Sequence, residues 1–186
     1  MKIKAIIILL IFFISFTSCK SRETKTSSTI KKDTITNVNS LNYVEKIKAF
    51  LKWYKSNYEK ILKIQLVDLK GDGATAQYRV NFTNTDKYLA LLKSSCFFSS
   101  KYIETMEKYF ELGDKKLVEL KQNDGPPIGF EYDLLLYTQE PESLLENIEN
   151  IKYEIIQKTK SFTIVKIDND LSIKLDKKGL IESISK

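Results

Sequence analysis

Apolar and polar positions divide the chain into stretches of different character. Residues 5–14 form an unbroken apolar run, AIIILLIFFI, preceded by Lys2 and Lys4. Residues 20–40 (KSRETKTSSTIKKDTITNVNS) are polar, rich in Ser and Thr, and lack aromatic side chains. From there apolar residues return at Val44, Ile47, Leu51, Tyr54, Tyr58 and Ile61, a 3-4-3-4-3 spacing that gathers them on one face of a helix. Asn42, three residues before Glu45, is a capping-box signal for its start. Leu62–Leu66 and Tyr78–Phe82 then alternate on either side of Lys70-Gly71-Asp72-Gly73, which predicts a hairpin. Thr85 opens a short helix carrying Tyr88, Leu89, Leu91 and Leu92. Ser99 or Ser100 caps a longer one with Ile103, Met106, Phe110 and Leu117, in which Gly113 marks a bend or break.

Asn123-Asp124-Gly125-Pro126-Pro127 stops that helix, and the last third reads as strands. Phe130–Tyr137 is one. Pro141 to Asn150 is a connection with a helical turn capped by Ser143. Segments beginning at Ile151, Phe162 and Leu171 alternate as half-buried antiparallel strands do, and a last pair turns at Lys177-Lys178-Gly179 into Leu180–Ile184. Helices followed by a meander predict an α+β domain, with N-terminal helices packed on a curved antiparallel sheet.

The N-terminus carries an address. A charged start, an apolar run of about 7–15 residues and a small-residue exit describe a secretory signal peptide, and the run falls short of the roughly 20 residues that span a bilayer. Phe16-Thr17-Ser18-Cys19 resembles a lipobox, in which the cysteine receives lipid before cleavage; Phe16 stands where Leu is usual. The expected organisation is a lipoprotein signal peptide over residues 1–18, a flexible lipidated tether over 19–41 that is too polar to order itself, and a single domain over 42–186. The bilayer, reached through acylated Cys19, is then a partner, and the domain faces the periplasm or the outer surface. Stable anchoring takes more than one acyl chain, which lipoproteins carry.

Composition narrows the chemistry. The chain has 30 Lys+Arg against 24 Asp+Glu, a net charge of +6 that falls by two when Lys2 and Lys4 leave with the signal. The remaining excess is modest and unclustered along the sequence, so no nucleic-acid partner is expected. There is no histidine, which excludes Ser-His-Asp and Cys-His nucleophiles and the HExxH zinc sites. No metal, cofactor or catalytic residue is assigned. Lipidation consumes Cys19, so of two cysteines only Cys96 keeps a thiol. No intramolecular disulfide is expected, and beside Phe97 and Phe98 Cys96 reads as a buried small hydrophobe.

The candidate binding residues are Trp53, Tyr54, Tyr132, Asp133 and Gln139. Tyr54 falls in the apolar stripe and Trp53 at its edge, where an aromatic wall suits a small ligand. Asp133 interrupts an apolar run and needs a partner if buried; Gln139 is placed to supply one. Glu131 with Asp133 is the one carboxylate pair that an enclosed site could turn to acid–base work.

Three segments together resemble the YbjP-like family of small bacterial exported proteins and lipoproteins: Phe50-Leu51-Lys52-Trp53-Tyr54; Tyr88-Leu89 with Cys96-Phe97-Phe98-Ser99-Ser100-Lys101-Tyr102; and Phe130-Glu131-Tyr132-Asp133 with Thr138-Gln139-Glu140. The resemblance covers roughly residues 43–185. It implies a cystatin-like cone, shared with nuclear-transport-factor-2-like proteins, and carries no catalytic mechanism with it. Together these readings lead to a membrane-anchored, non-enzymatic binding or immunity-type domain that takes a small ligand or a protein partner. The alternatives are a small enzyme using carboxylate or tyrosine chemistry in a cone-shaped pocket, and a structural envelope protein.

Overall fold

A computed structural model describes residues 35–168 and 171–186, with side chains from residue 43 on. Residues 1–34, with the expected signal peptide, Cys19 and most of the expected tether, lie outside the described residues. The elements run α1 (Ile35–Leu62), β1 (Val67–Lys70), β2 (Gln77–Val80), α2 (Phe82–Ser94), α3 (Ser100–Leu120), α4 (Pro141–Glu146), β3 (Tyr153–Lys158), β4 (Phe162–Ile167), β5 (Leu171–Asp176) and β6 (Ile181–Ser185). The fold is α+β: helices joined to a four-stranded antiparallel sheet in the order β3-β4-β5-β6, with a separate β1-β2 hairpin.

The meander follows from strict alternation. In β4 and β5 every second residue is buried, placing Val165, Ile167, Leu171, Ile173 and Leu175 on one face. That face shares a single core with Ile47, Phe50, Leu51 and Tyr54 of α1, Leu92 of α2, and Phe110 and Leu117 of α3. Fully burying one such side chain is worth about 1.5–3 kcal/mol, so the sheet and the helices stand or fall together.

Several expectations are corrected. The first helix starts at Ile35, ahead of Asn42, which therefore lies inside it and is not its cap. The hairpin forms, but β1 begins at Val67 because α1 keeps Leu62, and Phe82 belongs to α2, whose cap is Asn81 accepting from Asn84 N. Its turn requires Gly71 at φ +88°, where a Cβ would lie 2.8 Å from the Thr75 carbonyl oxygen. Ser99 caps α3 through Tyr102 N. This helix runs through Gly113 unbroken, since the glycine clears space for the Phe130 ring, 3.1 Å from where a Cβ would stand. Pro141 opens α4 behind Glu140, so Ser143 is not its cap.

Cys96 is exposed on the α2–α3 connection with a left-handed φ of 61°. That turn sends Phe98 inward and the cysteine outward, which corrects the expected burial. Cys96 is also disulfide-bonded, with no partner cysteine among the described residues. The expected absence of an intramolecular bridge concerns the lipidated chain, whose Cys19 lies outside the described residues.

The largest correction is at Phe130–Tyr137, which is a turn and not a strand. Leu134, Leu135 and Leu136 are all buried. A strand sends consecutive side chains to opposite faces, so three adjacent inward leucines need a turn.

Candidate functional site

Asp133 builds that turn. Its backbone N–H donates to Thr138 O (2.9 Å), and its carbonyl accepts from Tyr137 N (2.8 Å). One carboxylate oxygen accepts from Leu135 N (3.0 Å) and Leu136 N (2.7 Å), and the other accepts from the Tyr54 hydroxyl. Aspartate is suited to this task because its short side chain bonds backbone groups two and three residues on. Tyr137, at φ 50°, completes the reversal. Leu134–Leu136 thus plug the core while α1 and the 130–140 segment are tied through one phenol–carboxylate contact.

The surroundings are rich in phenols. Tyr54 is 0% exposed, and Tyr88 and Tyr102 are buried. Burial pushes the Tyr54 hydroxyl far above its ordinary range, and the Asp133 charge pushes it further. Burial likewise raises Tyr88 and Tyr102. Near neutral pH these hydroxyls are therefore protonated and are not bases, and Tyr54 donates to Asp133. Burial also raises the Asp133 carboxyl, opposed by its donors Tyr54, Leu136 and Leu135. Glu131 is exposed, so the envisaged carboxylate pair does not meet in one enclosed site.

The other candidate residues are separated. Tyr132 stacks on Tyr137 at 5.8 Å between ring centres. It also lines a cleft of about 240 Å³ with Ile64, Leu66, Val67, Pro127, Phe130 and Leu134. This apolar cleft lies between the base of the hairpin and the loop after α3. Trp53 is half-buried elsewhere on α1, 5.9 Å from Phe97 and 6.3 Å from Phe98 between ring centres. Gln139 is exposed and reaches the Glu131 carbonyl at 3.4 Å, so it does not support Asp133. A second, more polar hollow of about 200 Å³ is bordered by Leu136, Thr138, Glu140, Ser143 and Lys186.

One constellation escaped the sequence reading. Asp114, 8% exposed, receives a two-pronged contact from Arg79 of β2, Nε and Nη2 each at 2.8 Å, and accepts from Val80 N at 3.0 Å. The Arg79 guanidinium is the main cause holding the Asp114 carboxyl below the usual range. This clamp fastens the hairpin to α3 and so sets one wall of the cleft. The available signal was a carboxylate in the apolar stripe between Phe110 and Leu117, a position that demands a partner.

Among the described residues no group of His, Cys, Asp and Glu is arranged to hold a metal, and no helix is long and apolar enough to cross a membrane. Comparison of the chain with models of protein families, with curated proteins and with solved structures finds no match.

Proposed function

We propose that this chain is the precursor of a bacterial lipoprotein, acylated at Cys19, whose α+β domain binds a partner at a membrane surface and does not catalyse a reaction. One observation carries the binding half of this reading. The carboxylate best suited to acid–base work, Asp133, spends its oxygens on Tyr54, Leu135 and Leu136, which are structural donors. The binding surface in this reading is the apolar cleft with Tyr132 on its wall, since ligand sites are concave and mostly apolar with a few polar groups. The YbjP-like resemblance and its cone belong to the same proposal, as does an immunity-type partner.

Two measurements test it. Labelled palmitate should enter the wild-type protein and not Cys19→Ser, which should leave the membrane fraction or stall before cleavage. Photo-crosslinking from position 132 in the native envelope should capture a defined partner, and Val67→Glu in the cleft should abolish that capture. Turnover of an envelope-derived substrate that Asp133→Ala removes, with the fold retained, would instead establish the enzyme reading. That reading draws its own support from the cluster of buried phenols around a carboxyl raised by burial.

A further inference from the structure

Five lysines that are scattered in sequence meet at one end of the domain. Antiparallel pairing places the β3–β4 turn and the β5–β6 turn side by side, because Phe162 pairs with Asp176 and Lys158 with Thr163. These turns carry Lys158, Lys160, Lys177 and Lys178, all exposed. The described start of α1 lies against the same turns. Lys158 sits over the Tyr43 ring at 6.0 Å, and Lys46 donates to the Lys178 carbonyl, its stem filling the space that a side chain at Gly179 would take. Among the described residues none of these five ammonium groups is in an ion pair. The one carboxylate of the β5–β6 turn, Asp176, is turned onto Lys178 N and Leu180 N at 2.7 and 2.8 Å. Several lysines elsewhere on the surface are paired, among them Lys48 with Glu149, Lys93 with Glu107 and Lys174 with Glu182; what sets this end apart is that five meet there.

The chain enters at this same end. From Tyr43 back to Ile35 the backbone is helical, a rise of about 12 Å. Residues 20–34 precede it and hold Lys20, Arg22, Lys25, Lys31 and Lys32 against Glu23 and Asp33. A stretch of that length spans at most about 50 Å. A lipid on Cys19 would thus join the domain at the end of α1 that carries the lysines, opposite the end of α1 that leads into the cleft.

We infer that this lysine-rich end is a docking surface for an anionic phospholipid bilayer, so that the anchored domain stands with its basic turns on the headgroups and its cleft directed away. The inference rests on the proposed acylation for its biological setting, although not for its test. Basic clusters beside an anchor are drawn to anionic headgroups within a Debye length, and the attraction is lost in salt.

The test uses the chain from residue 19 on with Cys19→Ser, so that no acyl chain contributes, mixed with phosphatidylcholine vesicles with or without phosphatidylglycerol. The protein should sediment with the anionic vesicles at low salt and be released at high salt. Lys177→Gln with Lys178→Gln should weaken binding about 25-fold, roughly fivefold per lysine, and adding Lys158→Gln and Lys160→Gln should abolish it. Lys115→Gln with Lys116→Gln is the control. Those residues lie about 23 Å along α3 from its start, and that start is bonded to β6 at the basic end through Ser99 N and Ile181 O. The control pair should change binding less than about twofold. Equal losses from both pairs, equal binding to neutral vesicles, or no binding at low salt would overturn the inference. If Cys19 takes up no palmitate while the lysine effect holds, anchoring fails and the docking surface stands.

Discussion

At the scale of single residues, two buried phenols allow a direct comparison. Tyr54 donates to Asp133, whereas the Tyr102 hydroxyl, on a side chain 4% exposed, has no hydrogen-bond partner within the protein. Tyr54→Phe should cost about 1–3 kcal/mol in denaturant unfolding, because it strips a donor from a half-buried carboxylate, while Tyr102→Phe should be close to neutral. The same change should push the Asp133 carboxyl further up, which carbon-detected NMR titration would read. Asp114 is the opposite case. Its folded pKa is depressed, so its contribution is present above the unfolded carboxylate value and is lost as pH falls through the folded one. Asp114→Asn should cost about 1–3 kcal/mol at neutral pH. Its deficit against wild type should shrink as pH falls below the ordinary aspartate range. Asp133, raised rather than depressed, contributes with the other sign, being favoured in the fold below the unfolded value and less so as pH rises through the folded one.

At the scale of elements, alternation and helical spacing were enough wherever one face of an element is buried. The four strands of the meander and the cores of α1, α2 and α3 were legible for that reason. Phe130–Tyr137 was not, since a run of three leucines fits a buried strand as well as a buried turn, and only the Asp133 bonds to Leu135 N and Leu136 N decide between them. The helical spacing at Gly113 carried no hint of the Phe130 ring packed against it. Gly113→Val should therefore displace Phe130 and loosen the turn behind it, at a cost of about 1–3 kcal/mol. Amide hydrogen exchange should speed up at Leu135 and Leu136 before it does in β4 or β5. Retained protection at those two amides would mean that the ring and the turn move independently.

At the scale of the whole molecule, the domain is polarised. The α1 start and the two lysine-bearing turns occupy one end, while the cleft is walled by residues that follow the far end of α1 and α3. An acylated protein is thereby expected to bind its bilayer in two ways, by lipid and by charge. In wild-type membranes, high salt alone should leave it in place. With Cys19→Ser, any residual retention should disappear in high salt, as judged by fractionation and blotting. Release of the acylated protein by salt alone would assign the anchoring to charge and remove lipid from the account.

By itself the sequence determined the lipobox-like exit at Cys19, the lack of histidine chemistry and the α+β order of elements. Each of these rests on neighbouring residues or on simple presence and absence. It also marked Asp133 and Tyr54 as unusual, one a charge in an apolar run and the other a hydroxyl in an apolar stripe, without showing that they bond to each other. Tertiary structure decided that pairing, the Arg79–Asp114 clamp, the outward position of Cys96 and the gathering of Lys46, Lys158, Lys160, Lys177 and Lys178. The physical reason is the same in each case. Hydrogen bonds and surface charge act over a few ångströms of space, and strand pairing brings together residues that the chain itself keeps far apart.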